Sequence, residues 1–159
     1  MLTEREILDA ALGLLDAGGV EAASIRRIAA AAGVAPNAVY TLFPDQGAVE
    51  SALVERLLGR VRTSKGGRAG AEAVVLGLRR ALVAHPGVVP IVLGRPLDAR
   101  LLARLRELLA GSGLDSAWAD RGSYVLLVYA LGSVALKIDS EQYGWGLGRV
   151  LDGLESGRK

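Results

Sequence analysis

Apolar residues recur at every third or fourth position along most of the chain, and no alternating run typical of a β-strand lies between them. This periodicity predicts an all-α fold. Residues that start or stop helices divide the pattern into predicted helices at 3–18, 24–33, 36–43, 45–62, 71–84, 88–93, 97–110, 116–137 and 142–154.

The predicted helix starts carry residues that satisfy free backbone amides. Thr3 and Glu6 have the spacing of a capping box, in which each side chain accepts a hydrogen bond from the other residue's backbone. Ser24 and Asp45 are predicted N-cap residues of the second and fourth helices. Pro36 stands in the first turn of the third helix, where its missing amide hydrogen costs little. Local signals therefore predict where the first four helices begin.

Residues 25–44 have the spacing of a helix-turn-helix. Such a motif needs a small residue where two helices cross, a glycine in the turn and apolar residues that hold the second helix against the first. Ala29 and Gly33 meet the first two needs. Val34 and Val39 supply the apolar contacts. The remaining face of the second helix is polar or aromatic and is free to enter the major groove of DNA.

A glycine-rich stretch at residues 63–70 predicts a boundary between two domains, 1–62 and 66–159. In the second domain, the apolar run at 124–136 is 13 residues long, too short to span a bilayer, and predicts a buried helix. The helix at 116–137 is apolar nearly all round, so it must be buried on more than one side. We expect a second subunit to provide part of that burial.

Composition narrows the chemistry that the chain can carry. The 159 residues include no cysteine and one histidine, His85, which excludes disulfides, thiolate metal sites and a pair of histidine ligands. We therefore predict no cofactor, no metal site and no catalytic residues. Residues 1–62 carry six Arg and eight acidic residues, whereas residues 63–110 carry eight basic and three acidic ones. The basic segment is either a solvated helix surface or a source of attraction to an anionic ligand or DNA.

The N-terminal motifs resemble the TetR family of transcriptional regulators. The resemblance is carried by ILDAA at 7–11, GG at 18–19, SIRRIA at 24–29, AGV at 32–34, VY at 39–40 and FPD at 43–45. The rest is similar more loosely to the tetracycline-repressor-like regulatory domain, in a form shorter than usual. The resemblance implies an N-terminal three-helix bundle with a helix-turn-helix and a C-terminal helical regulatory and dimerisation domain. It also implies a homodimer that binds a palindromic operator in double-stranded DNA and is released by a small-molecule effector.

Eight residues are predicted to contact DNA: Ser24, Arg26, Ala35, Pro36, Asn37, Tyr40, Thr41 and Gln46. The resemblance places Arg26 and Tyr40 where the family contacts the phosphate backbone. Asn37 can pair with adenine, and Pro36 can meet a thymine methyl group. Ala35 is small enough for a close approach.

Two positions depart from the family pattern. Leu42 stands where the family often has a histidine, and Gln46 where it often has a lysine. Gln46 can still hydrogen-bond a phosphate, as can Thr41 and the free amides of the helix that Ser24 caps. Because fewer cations face the DNA, we predict that DNA affinity depends only weakly on salt.

The second domain is predicted to hold the effector and to form the dimer. Arg95, Trp118 and Tyr124 are the candidate effector contacts, in a cavity among the helices at 71–84, 97–110 and 116–137. The alternatives are a place in the core for the two aromatic residues, and a turn without a partner for Arg95. The candidate dimer contacts, in the intersubunit four-helix bundle that the resemblance suggests, are Leu126, Tyr129, Ser133, Leu147 and Leu151.

Three functions follow as hypotheses. The first is a cytoplasmic, dimeric repressor that recognises a DNA sequence and is released by an effector. The second is a constitutive DNA-binding dimer that has no effector cavity. The third is a helical small-molecule carrier or an enzyme, which is disfavoured by the single histidine, the lack of cysteine and the lack of paired carboxylates in a recognisable motif. The sequence does not identify the effector, the operator or the sign of regulation.

Overall fold

The computed structural model describes residues 1–157, which form α-helices joined by short turns. The helices are α1 (Glu4–Gly18), α2 (Ile25–Ala31), α3 (Pro36–Tyr40), α4 (Gln46–Leu58), α5 (Gly67–Ala84), α6 (Val89–Leu93), α7 (Ala99–Gly111), α8 (Ser116–Ala135) and α9 (Ser140–Ser156). Short 3-10 turns at Val20–Ala22 and Pro86–Val88 precede α2 and α6. No strand occurs within the described residues, and the predicted all-α class is confirmed.

The helix starts form as the local sequence predicts. The backbone amide of Thr3 donates to Glu6 Oε2 at 2.8 Å, and the amide of Glu6 donates to Thr3 Oγ1 at 3.3 Å. Both bonds of the capping box are therefore present. Asp45 Oδ1 accepts from the amide of Ala48 at 2.8 Å and caps α4. These caps use residues at most three positions apart, which is why the sequence alone identifies them.

The contacts among residues divide the chain into two compact units. The first unit combines Met1–Arg60 with Leu82–Arg95, and the second combines Val61–Ala81 with Pro96–Lys159. The predicted division between residues 62 and 66 stays a prediction. The sequence does not predict that α6 and the turn before it belong to the same unit as the N-terminal helices.

In the first unit, α1 contacts α2 and α4, and α2 contacts α3. The largest side chains buried among them are Ile7, Ile28, Val39 and Leu53. Every buried residue of this unit is hydrophobic within the described part of the chain. The hydrophobic effect therefore accounts for how α3 is held on the bundle.

Two polar contacts fasten residues 82–95 to this bundle. His85 Nδ1 lies 2.8 Å from Asp16 Oδ2 at the end of α1. Arg95 Nη1 donates to Ser51 Oγ of α4 at 2.9 Å. The segment is thus tied near both of its ends to helices of the first unit.

In the second unit, α8 packs mainly on α7 and also on α9. The fully buried residues of α8 include Leu126 and Ala130, while Tyr124, Val125 and Val128 are half exposed. The sequence predicts burial on more than one side of α8, but within a single chain α8 is buried on one side only.

No single helix among residues 1–157 is long and apolar enough to cross a bilayer. One pair of helices, α5 and Pro86–Leu93, has the length and composition of a broken span when taken together, with a bend of 99° between them.

Candidate nucleic-acid interface

The turn between α2 and α3 sets the position of α3. Gly33 has a φ of +71°, in the left-handed region that glycine adopts without a steric penalty. The amide of Val34 donates to the carbonyl of Ala29 at 2.9 Å, and the amide of Gly33 donates to that of Ala30 at 3.1 Å. This pair of bonds is a Schellman motif, which ends α2 and directs the chain into α3.

α3 presents one buried and one exposed face. Val39 is fully buried and its carbonyl accepts from the amide of Phe43 at 2.9 Å, which continues the turn beyond the helix. The predicted DNA-contacting residues lie on the exposed side, at Ala35, Pro36, Asn37, Tyr40 and Thr41. Half of the Tyr40 side chain is accessible. None of these residues is charged, so α3 itself can bind DNA only through hydrogen bonds and apolar contacts.

Two of the predicted polar contacts already have partners within the chain. Thr41 Oγ1 donates to the carbonyl of Ala38 at 2.7 Å. Gln46 Nε2 donates to Glu50 Oε1 at 3.1 Å. A phosphate at Gln46 would compete with that carboxylate, so a role in DNA binding stays a prediction for this residue.

Along the sequence, the positively charged residues nearest to α3 lie on α2. Arg26 and Arg27 are exposed, and neither pairs with a carboxylate within the described residues. Ser24 Oγ accepts from the amide of Arg27 at 3.4 Å and caps the helix, as predicted. Of these two arginines, only Arg26 is predicted from the sequence to contact DNA. Arg27 could have been found from its place beside Arg26 in the first turn of an exposed helix.

The three candidate effector contacts have different surroundings. Arg95 belongs to the first unit, where Nη1 bonds to Ser51 and Nη2 donates to the carbonyl of Gly47 at 3.3 Å. Its guanidinium ties the end of α6 to α4, and its role as an effector contact stays a prediction. The Trp118 ring packs against Gly157 at the end of α9. Tyr124 is 46% exposed on the outer side of α8.

The candidate dimer contacts are largely covered within a single chain. Leu126, Ser133, Leu147 and Leu151 are at most 4% exposed within one chain, so contacts of the chain with itself already cover them. The Tyr129 hydroxyl donates to the carbonyl of Tyr143 on α9 at 3.2 Å. A helix that is apolar all round does not indicate from sequence which face turns inward, so the role of these residues in a dimer stays a prediction.

The half-exposed side of α8 is apolar instead. Its accessible side chains are Tyr124, Val125 and Val128, with Leu136 just beyond the helix. Their spacing of three and four residues places the first three on one face. On α9, Trp145 is 69% exposed. We call Tyr124, Val125 and Val128 the outer face of α8.

Comparison with known proteins agrees with this geometry. Residues 7–49, which include the whole helix-turn-helix, match the family model for bacterial regulatory proteins of the tetR family. The N-terminal motif is therefore similar to that of the tetR family. A search of curated proteins finds no significant match.

Solved structures extend the likeness to the whole fold. BioQ of Mycobacterium smegmatis is 23% identical, with a TM-score of 0.82 and coverage of 98% of this chain and 99% of that one. A structure of BioQ with its natural double-stranded DNA operator has a TM-score of 0.83, at the same identity and coverage. ActR of Streptomyces coelicolor with actinorhodin is 20% identical, with a TM-score of 0.86 and coverage of 98% and 96%. The chain therefore has the TetR fold throughout.

Proposed function

We propose that this TetR-type protein is a dimeric transcriptional regulator that binds a palindromic operator and represses transcription until a small-molecule effector binds. The observation that carries the proposal is the exposed, uncharged face of α3 together with two exposed arginines on α2 that pair with no carboxylate among residues 1–157. A surface of this kind suits the major groove, because the uncharged face can contact base edges while the cations neutralise phosphates.

Each residue of the surface has a specific task in this proposal. Asn37 hydrogen-bonds a base edge, and adenine is its best partner. Pro36 packs against a thymine methyl group. Arg26 and Arg27 bind phosphates, and Tyr40 donates its hydroxyl to the phosphate backbone. Ser24, which caps α2, positions the two arginines.

A second copy of the chain is the proposed partner of the outer face of α8. A single α3 of five residues can read only a few base pairs, so recognition of an operator needs two copies of the motif. The outer face of α8 is apolar and half exposed, and a two-fold axis through it would cover the same side chains on both subunits. Trp145 would extend that contact on α9.

Relatives of the same fold support the two binding partners. BioQ has been solved on its operator, and ActR has been solved with actinorhodin. We extend both properties to this chain as a proposal: DNA is the partner of the first unit, and a small molecule is the partner of the second. A regulator of this kind acts in the cytoplasm and performs no catalysis.

A constitutive DNA-binding dimer is the second candidate. It is favoured by one specific observation, which is that the guanidinium of Arg95 is already bonded to Ser51 within the first unit, while Tyr124 is half exposed. The two candidates share the same DNA-binding surface. They differ in whether a small molecule lowers the affinity for the operator.

DNA binding is tested by selecting bound sequences from a pool of random double-stranded DNA. The affinity for the enriched sequence is then measured as a function of salt concentration. We expect a two-fold palindrome bound by two subunits. With Arg26 and Arg27 as the phosphate-binding cations of each subunit, log affinity should fall with log salt with a slope of about −4 or shallower. Absence of any enriched sequence at low salt would contradict the proposal. A much steeper slope would show that other cations bind the DNA.

A further inference from the structure

A row of polar contacts connects the start of α4 to the end of α6 within the first unit. Gln46 Nε2 donates to Glu50 Oε1 at 3.1 Å, and Glu50 Oε2 lies 3.9 Å from Arg95 Nη2. All three residues are partly buried, so water screens their interaction less than it would at a fully exposed site. The carboxylate of Glu50 therefore stands between a predicted DNA contact and a cation.

The guanidinium of Arg95 is anchored on α4 by neutral groups. Nη1 donates to Ser51 Oγ at 2.9 Å, and Nη2 donates to the carbonyl of Gly47 at 3.3 Å. Ser51 Oγ donates in turn to the same carbonyl at 2.7 Å. These acceptors hold the guanidinium in place but do not compensate its charge.

The ion pair between Glu50 and Arg95 is loose. A hydrogen bond between a guanidinium and a carboxylate is typically about 2.7–2.9 Å long, and the 3.9 Å between Glu50 Oε2 and Arg95 Nη2 is well beyond this. Because Arg95 is anchored, a tighter pair needs a rotation of the Glu50 side chain toward it. That rotation would move Oε1 away from Gln46.

A DNA phosphate at Gln46 makes this rotation favourable. The phosphate either shares the amide nitrogen of Gln46 with the carboxylate or displaces the carboxylate from it. Sharing brings two anions close together, and displacement takes from Glu50 its hydrogen-bond donor. Both costs fall if a cation moves into contact with Glu50. Within residues 1–157, Arg95 is the cation at ion-pair distance from that carboxylate.

We propose that Arg95 is a positioning residue for DNA binding, because it takes up the Glu50 carboxylate when a DNA phosphate binds Gln46. Glu50 exchanges an amide partner for a guanidinium partner, and Gln46 becomes free to donate to the phosphate. This inference rests on the proposed function and adds to it two residues, Glu50 and Arg95, that set the affinity for DNA without contacting a base.

The test is a double-mutant cycle on the full-length protein, with affinity measured for the selected DNA at one salt concentration. Arg95→Met should weaken binding about tenfold, because Glu50 then stays uncompensated beside the phosphate. Glu50→Gln alone should bind within about threefold of wild type. In the Glu50→Gln protein, Arg95→Met should cost less than about twofold, since no carboxylate is left to compensate.

Two further variants serve as controls. Arg95→Lys keeps the positive charge but loses the forked donor geometry, and it should retain most of the affinity. Glu4→Gln removes the same charge as Glu50→Gln from an exposed position at the start of α1. In the Arg95→Met protein, Glu4→Gln should not restore binding. If Arg95→Met does not fold, Arg95→Gln removes the charge and keeps a donor for Ser51.

The outcomes distinguish this inference from the function on which it rests. If the wild-type protein binds no selected DNA, the proposed function fails and the inference fails with it. If wild type binds DNA and Arg95→Met binds equally well, only the role of Arg95 is overturned. A loss of the same size with Glu50 and with Gln at that position also overturns it, because Arg95 would then act only as a structural tie between α6 and α4.

Discussion

The two units differ in where they place polar and apolar side chains. In the first unit the described buried residues are all hydrophobic, and the exposed face of α3 is polar or aromatic. In the second unit the order is partly reversed: Arg79, Ser123 and Ser133 are buried, and the outer face of α8 is apolar and half exposed. The surface that we propose for DNA obeys the usual inside–outside rule, so sequence patterns identify it. The unit that we propose to meet a second subunit departs from that rule in both directions.

The largest effect is expected for a substitution on the outer face of α8, in the second unit. Val128→Glu places a charge on the outer face of α8, and the two-fold axis doubles it in a dimer. We expect a dimer dissociation constant at least about a hundredfold higher, because an unpaired charge cannot be buried without a cost of several kcal/mol. Analytical ultracentrifugation measures it, and DNA affinity should fall in parallel.

Two further variants control this result. Ala110→Glu, at an exposed position of α7, should leave the dimer intact. Leu126→Glu should destroy the fold instead, because Leu126 is fully buried within its own chain. A folded, unchanged Val128→Glu dimer would move the interface away from α8.

The next effect concerns the close contact between α8 and α9. Gly146→Ala should lower the free energy of unfolding by about 2 kcal/mol, because the methyl group would collide with the Tyr129 hydroxyl. Gly144→Ala, which meets nothing within 4 Å in one chain, should raise it by about 0.5–1 kcal/mol through helix propensity. Urea unfolding of both variants measures the contrast. Equal effects would mean that the close packing does not contribute to stability.

The DNA-binding surface of the first unit predicts effects of intermediate size. Arg26→Ala should weaken operator binding about tenfold and make the salt slope shallower by about 2, one phosphate for each subunit. Tyr40→Phe should weaken binding about fivefold with an unchanged slope, because it removes a hydrogen bond and no charge. Arg80→Ala removes one positive charge at an exposed position of α5, and it therefore controls for the loss of charge alone. Variants that bind like wild type would remove α2 and α3 from the DNA contact.

The turns that follow α2 and α8 offer a smaller, direct comparison. Both end in the same pair of hydrogen bonds, but the left-handed position is Gly33 in one and Lys137, at a φ of 53°, in the other. Lys137→Gly should stabilise the protein by about 1 kcal/mol because it relieves this conformation. Gly33→Ala should destabilise it by a similar amount. Thermal unfolding of the two variants should therefore show shifts of opposite sign.

The smallest effect is the pH dependence of an ion pair that joins α5 and α9. Arg68 binds Asp152 and Glu155, each at 2.7 Å, and its hydrogen bond lowers the pKa of the Asp152 carboxyl from 3.8. Because the pKa is lower in the folded state, the stabilisation is present above pH 3.8 and is lost as the pH falls through the folded value. Arg68→Met should lower Tm by about 1–2 °C near pH 7, and the difference from wild type should shrink toward pH 3. A difference that stays constant with pH would exclude the ion pair as its cause.

What the sequence predicted well was local. The capping box of Thr3 and Glu6, the cap at Asp45 and the turn at Gly33 each depend on residues within six positions of one another. The same short range gives the exposed face of α3, since one buried residue, Val39, fixes the orientation of a short helix. The resemblance to the TetR family rests on this part of the chain, and the family comparison matches residues 7–49.

What only the tertiary structure decided involves residues far apart in the chain. Arg95 is tied to Ser51 across 44 positions, and Arg79 reaches Ile138 across 59, so neither contact could be read from a spacing. Leu126 and Val128 stand two residues apart on the same apolar helix, yet one is fully buried and the other half exposed. Their chemistry is similar, and only the packing of α7 and α9 against α8 distinguishes them. Sequence alone thus determined the helices and the helix-turn-helix, because short-range hydrogen bonds and periodicity encode them. Long-range packing determined which apolar side chains remain exposed within a single chain.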